Sequence, residues 1–111
     1  MAYVTTIDIT GLTADEYRRI LDHMGVEDRP AAGIYFHLAA PTDDGFRITE
    51  IWDSSDGFHA FVDTMLFPAA EALGIRRAAA IKIEPLHNIF VPRAGELAGL
   101  ADGAPGGRSG R

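Results

Sequence analysis

Polar and apolar residues alternate from Tyr3 to Thr10, with Tyr3, Thr5, Ile7 and Ile9 on one parity and Val4, Thr6, Asp8 and Thr10 on the other. A period of two in a run rich in β-branched residues predicts a strand, ended by Gly11. The period then becomes helical. Tyr17, Ile20, Leu21 and Met24 recur at three- and four-residue spacing, with Arg18, Arg19 and Asp22 facing out. Thr13 followed three residues later by Glu16 forms a capping box, and Gly25 supplies a left-handed stop. Alternation returns at 33–40, where Ile34, Phe36 and Leu38 oppose Tyr35, His37 and Ala39, and again at 46–53, with turn chemistry between them in Pro41-Thr42-Asp43-Asp44-Gly45. Ser54 begins a second helix whose stripe is Phe58, Phe61, Val62, Met65 and Leu66; Pro68 kinks or restarts it and Gly74 ends it. Residues 79–91 read as a long last strand interrupted by Pro85, which favours an edge or a bulge.

The order β-α-β-β-α-β predicts an α+β, ferredoxin-like fold over residues 1–91: a four-stranded antiparallel sheet with both helices on one face. Residues 92–111, with glycines at 95, 99, 103, 106, 107 and 110, are expected to form a mobile tail. Two helices cover one face only. Neither parity of the middle strands is hydrophilic, so the bare face is expected to pair with a second copy of the chain in a homodimer.

Composition narrows the function. Ten Lys and Arg against sixteen Asp and Glu give a net charge of −6, which argues against a phosphate-backbone binder, so no nucleic-acid partner is expected. The absence of cysteine excludes thiol catalysis, disulfides and thiolate-bound metal. No basic leader or long apolar run is present, so the expectation is a cytoplasmic protein without a membrane partner. The four histidines have no metal-ligand spacing and no glycine-rich phosphate loop follows a strand, so neither a metal nor a bound cofactor is expected.

His37 lies in an otherwise apolar strand, where an imidazole needs a partner. If residues 42–45 close the hairpin as a four-residue loop, His37 stands opposite Glu50, and Tyr35 opposite Trp52. Directly opposed side chains lie within about 5.5 Å at Cβ. A His–carboxylate pair at that distance fixes the tautomer and raises the basicity of the imidazole, preparing it to take a proton from a phenol or from carbon beside a carbonyl. A register one residue away dissolves the pair. Trp52 is a candidate contact for an aromatic substrate, and His87 on the last strand a candidate from the opposite wall. His59 and His23 read as surface residues.

The run 33–61 (GIYFHLAAPTDDGFRITEIWDSSDGFHAF), with Pro68 after it and LHNIFV closing the last strand, resembles the small dimeric α/β barrel proteins related to the antibiotic biosynthesis monooxygenases. The marks are a hairpin with a DG turn, Trp52 ending the third strand, a Ser-capped helix, and Phe58 and Phe61 upon it. The resemblance implies a sheet-to-sheet homodimer with a pocket between each sheet and its helices or inside the barrel. It also implies cofactor-independent chemistry on an aromatic or polyketide-like molecule, as a monooxygenase, cyclase or isomerase. His37 and Glu50 would then be catalytic, with Tyr35, Trp52, Phe58 and His87 in contact with substrate. Haem-degrading relatives carry a histidine about ten residues after the tryptophan. Phe61 and Val62 stand there in this chain, which argues against haem. The competing expectation is a non-catalytic ligand-binding or structural homodimer in which the same residues only pack.

Overall fold

A computed structural model describes residues 1–101 of the chain. Four strands, β1 (Tyr3–Thr10), β2 (Ile34–Thr42), β3 (Gly45–Trp52) and β4 (Ala79–Pro85), form one antiparallel sheet in the order β2-β3-β1-β4. Helix α1 (Ala14–Met24) joins β1 to β2. Between β3 and β4 lie α2 (Ser55–Phe61), a π-helical turn (Val62–Leu66) and α3 (Phe67–Ala72). This is the ferredoxin-like α+β arrangement. Its core forms where Ile7 and Ile9 of β1 and Phe46, Ile48 and Trp52 of β3 meet Ile20, Phe58, Val62, Leu66 and Ala69 of the helices.

Local chemistry sets the helix ends. The Thr13 hydroxyl accepts the Glu16 N–H at 3.1 Å while the Glu16 carboxylate accepts the Thr13 N–H at 3.2 Å, so two orphan donors of the first turn are satisfied reciprocally. Gly25 closes α1 at φ 68°, a conformation that disfavours a Cβ. The second helical segment restarts at its proline. Pro68 has no N–H to give to the turn before it; upstream the helix widens to a π turn, in which the Phe67 N–H reaches back to the Val62 carbonyl. Pro68 then sits in the first turn of α3, where a missing donor costs nothing.

The last strand is shorter than its sequence pattern. β4 pairs with β1, which begins at Tyr3 opposite Pro85. Beyond that point, among the described residues, only the Leu86 N–H still reaches the neighbouring segment, at the Ala2 carbonyl, 2.8 Å away. A strand ends where its partner does, so residues 86–91 leave the sheet, exposing Ile89 and Phe90. Pro85 closes β4 on an outer strand of the sheet. Within the stretch expected to be a mobile tail, Ala94–Leu100 forms a 3-10 helix. The rest of that expectation, residues 102–111, lies outside the described residues.

By register, the sheet face away from the core carries Val4, Phe36, Leu38 and Ile51, beside Thr6, Thr49 and an ion pair in which Arg47 donates to both oxygens of Asp8. Its apolar residues gather on β2, β3 and the start of β1, and Lys82 and Glu84 lie towards the β4 edge. The face is mixed, apolar at one side and charged at the other.

Candidate active site

The β2–β3 hairpin decides the site. Thr42 and Gly45 pair as the last and first residues of their strands, so the turn is the two residues Asp43-Asp44 and not the expected four-residue loop; the pairing is the same, and it carries through to His37 opposite Glu50. Gly45 is needed for a close approach, since a Cβ there would lie 2.0 Å from the Ile9 carbonyl oxygen. Nearer the start of β2 the register slips between Ile34 and Phe36, so Ile34 rather than Tyr35 faces Trp52. Tyr35 is the extra residue of this bulge and is 70% exposed, which corrects its expected place across from Trp52.

His37 and Glu50 are bonded: Nδ1 of the imidazole lies 2.7 Å from Oε2 of the carboxylate. Glu50 is 4% exposed, and its other oxygen accepts the indole N–H of Trp52 at 2.9 Å. At the far side of the imidazole, Nε2 lies 2.7 Å from the hydroxyl of Tyr17 on α1. Four side chains from three elements thus form one hydrogen-bonded line, Tyr17–His37–Glu50–Trp52. A buried polar group is tolerated when its bonds are satisfied, and here both carboxylate oxygens and both ring nitrogens have partners.

His37 and Glu50 also line a cavity of 380 Å³, whose walls are mainly apolar, among them Leu21, Met24, Ile48 and Phe61. Tyr35 stands on the same cavity, and so does Glu27, which is paired with Arg18. The other expected contacts lie elsewhere. Trp52, 1% exposed, and Phe58, 0% exposed, are not among the lining residues; they pack edge to face in the core, ring centres 6.0 Å apart. His87 is exposed beyond the end of β4, because the chain has already left the sheet there. Among the described residues no cluster of His, Cys, Asp or Glu could hold a metal, and no helix is long and apolar enough to cross a membrane.

Sequence reasoning missed Tyr17, which it assigned to the apolar stripe of α1. The available signal was that Tyr17 is the one residue of that stripe with a polar tip, and that an imidazole bonded to Glu50 by one nitrogen needs a partner for the other. Burial pushes the Tyr17 hydroxyl up to about 12, with the Glu27 and Glu50 carboxylates acting in the same direction and Arg18 against them. The sign follows from linkage. An unfolded tyrosine ionises near 10 and the folded one near 12, so this contribution to stability is intact below about pH 10 and is lost as pH rises to about 12. The urea midpoint of the wild type is therefore expected to fall faster over that interval than that of Tyr17→Phe. Parallel curves for the two proteins would refute the assignment.

Thr5 faces Glu50 across β1 and β3 and is fully buried, and its hydroxyl finds no hydrogen-bond partner among the described residues. An orphaned buried hydroxyl costs about 1–3 kcal/mol, so Thr5→Val is expected to raise stability by roughly 1 kcal/mol in urea unfolding. A lower midpoint would mean that the hydroxyl is bonded in solution.

Comparison with solved structures places the fold. A candidate antibiotic biosynthesis monooxygenase from Deinococcus radiodurans superposes with a TM-score of 0.59 at 20% identity, covering 82% of this chain and 97% of that one. The chain has the antibiotic biosynthesis monooxygenase-like fold. SnoaB, a cofactor-independent oxygenase from Streptomyces nogalater, shares it at a TM-score of 0.54 and 16% identity, over 83% of this chain and 96% of its own. A candidate monooxygenase of the same kind from Caulobacter crescentus matches at 0.57 and 13%, over 78% and 92%. No family model matches the chain, and no curated protein resembles it in sequence. The shared fold thus accounts for the sheet order.

Proposed function

We propose that the chain is a cofactor-independent enzyme that takes a proton from an aromatic or polyketide-like molecule held in the cavity, with His37 as the base and Glu50 as the group that orients it. The carrying observation is that the bonded His37–Glu50 pair lines a mainly apolar cavity of 380 Å³, a size suited to a small organic ligand. Removing a proton beside a carbonyl or from a phenol leaves an electron-rich anion. Molecular oxygen can oxidise such an anion directly, and the likeness to a cofactor-independent oxygenase supports that branch over cyclisation or isomerisation, which begin with the same step.

The test uses the single tryptophan. Trp52 donates to Glu50, and its ring lies 5.5 Å from that of Phe61, so two of its neighbours line the cavity. Titration with planar phenols, polyketide-like aromatics and small lactones is expected to give saturable quenching at micromolar ligand, weakened in His37→Ala. No response in either protein removes the ligand site. Saturable binding with no product under oxygen supports the second reading, a binding module, which the closed polar network also favours because it needs no substrate to be satisfied.

A homodimer through the uncovered sheet face completes the proposal, since Leu38, 45% exposed, sits there beside Phe36 and Ile51. Sedimentation equilibrium is expected to give twice the chain mass for the wild type and the single mass for Leu38→Glu, whereas a monomeric wild type would defeat the assembly.

A further inference from the structure

Both nitrogens of His37 are occupied in this structure, which has a consequence for any role as a base. A carboxylate can only accept hydrogen bonds, so the pair with Glu50 places the ring proton on Nδ1. A neutral imidazole has one N–H, which leaves the basic lone pair on Nε2. Tyr17 donates to that lone pair at 2.7 Å. Every donor in the line then points towards Glu50: Tyr17 O–H to Nε2, Nδ1–H to one carboxylate oxygen, and Trp52 N–H to the other.

The tyrosine is held for this. Its ring stacks on Phe46, centres 5.5 Å apart and 10° from parallel, and lies 6.0 Å from the imidazole at 21°. It comes from α1, whereas His37 and Glu50 come from the hairpin, so the contact ties helix to sheet at the base itself. Tyr17 is not among the residues that line the cavity, and it acts on whatever is bound there through His37.

We propose that Tyr17 is a positioning residue that aims the ring of His37, whose Nδ1–H tautomer Glu50 sets, and caps the Nε2 lone pair until a ligand takes the tyrosine's place. This rests on His37 being the base of the proposed reaction. Proton removal then requires Tyr17 to release Nε2. The ligand's X–H bond breaks, an N–H bond forms at Nε2, the electron pair stays on the ligand, and the imidazolium faces the Glu50 carboxylate.

The experiment needs no substrate. Imidazole ¹⁵N spectra of the wild type are expected to show His37 protonated at Nδ1, with a hydrogen-bonded acceptor at Nε2. In Tyr17→Phe the Nε2 resonance is expected to move towards that of a bare ring nitrogen, while Nδ1 keeps its proton. Global 3-fluorotyrosine labelling keeps the packing and strengthens the donor, so it should move Nε2 the opposite way; it also serves if the phenylalanine variant folds poorly. Diethylpyrocarbonate acylates a free imidazole lone pair. The His37 side chain, 30% exposed, is within its reach, and its acylation rate should rise about tenfold in Tyr17→Phe with the exposed His23, His59 and His87 unchanged. A proton on Nε2 in the wild type, or equal His37 acylation in both proteins, overturns the proposal. Failure of the tryptophan titration with these results in hand would remove the ligand site and leave Tyr17 as the cap of a histidine that does no chemistry, which also overturns the positioning role.

Discussion

Replacing Trp52 with alanine is expected to cost about 3–5 kcal/mol, enough to unfold a marginal domain at 37 °C. The indole is 1% exposed and packs against Phe58 and Phe61, with ring centres at 6.0 and 5.5 Å. Truncation would open a cavity there. It would also leave Oε1 of Glu50 without its donor, and an unsatisfied buried acceptor accounts for about 1–3 kcal/mol of that loss. Trp52→Phe separates the two effects, keeping most of the packing and losing only the N–H, so it should cost about 1–3 kcal/mol. Urea unfolding followed by circular dichroism measures both. A loss under about 1.5 kcal/mol for the alanine variant would place Trp52 on a wall facing solvent or ligand instead of in the core.

The contrast between Trp52 and His37 shows what the sequence could tell. The fold was legible because the apolar period switches cleanly between two and 3.6 and each switch has its own punctuation: Gly11, the Thr13–Glu16 box, Gly25, the DG turn and Ser54. The His37–Glu50 pair was legible for a related reason, since a tight turn fixes register and register fixes which side chains meet. Tyr35 escaped the same arithmetic because a bulge inserts one residue without altering the pattern on either side. Trp52 and Phe58 show a different limit. Alternation reports that a side chain points inward, and an inward position is core or cavity wall depending on how the helices settle over it.

Two further features depended on contacts distant in sequence. The length of β4 is set by where β1 begins, which no pattern within 79–91 records. Tyr17 meets His37 only because α1 folds back across the hairpin, bringing together residues twenty positions apart. Its spacing on the helix is that of a core residue, and its ring does pack as one, against Phe46. The hydroxyl at its tip is the part with a chemical consequence, and hydrophobic periodicity does not register a tip.

Glu50→Gln is expected to lower turnover by about 100-fold or more, the usual worth of a general base, while leaving the fold in place. The substitution is nearly isosteric, so the cavity and core keep their shape. What changes is the direction of the hydrogen bonds. The two oxygens of Glu50 accept from Trp52 and from His37, whereas a glutamine has one oxygen and one NH2. Trp52 is donor-only and claims the oxygen, which turns the NH2 towards Nδ1 of His37. The imidazole must then accept at Nδ1 and carry its proton on Nε2, where it donates to Tyr17. The lone pair that would receive the substrate proton is gone. In the other orientation the NH2 faces the indole N–H, two donors in contact, and stability falls instead. His37→Ala should lose turnover to the same extent, because the two residues act as one unit, and the double variant should be no worse than either single one. Steady-state rates on any ligand that quenches Trp52, with dichroism spectra to confirm folding, check all three. Undiminished turnover in Glu50→Gln would mean that the reacting proton never passes through Nε2, and the base would have to be sought elsewhere on the cavity wall.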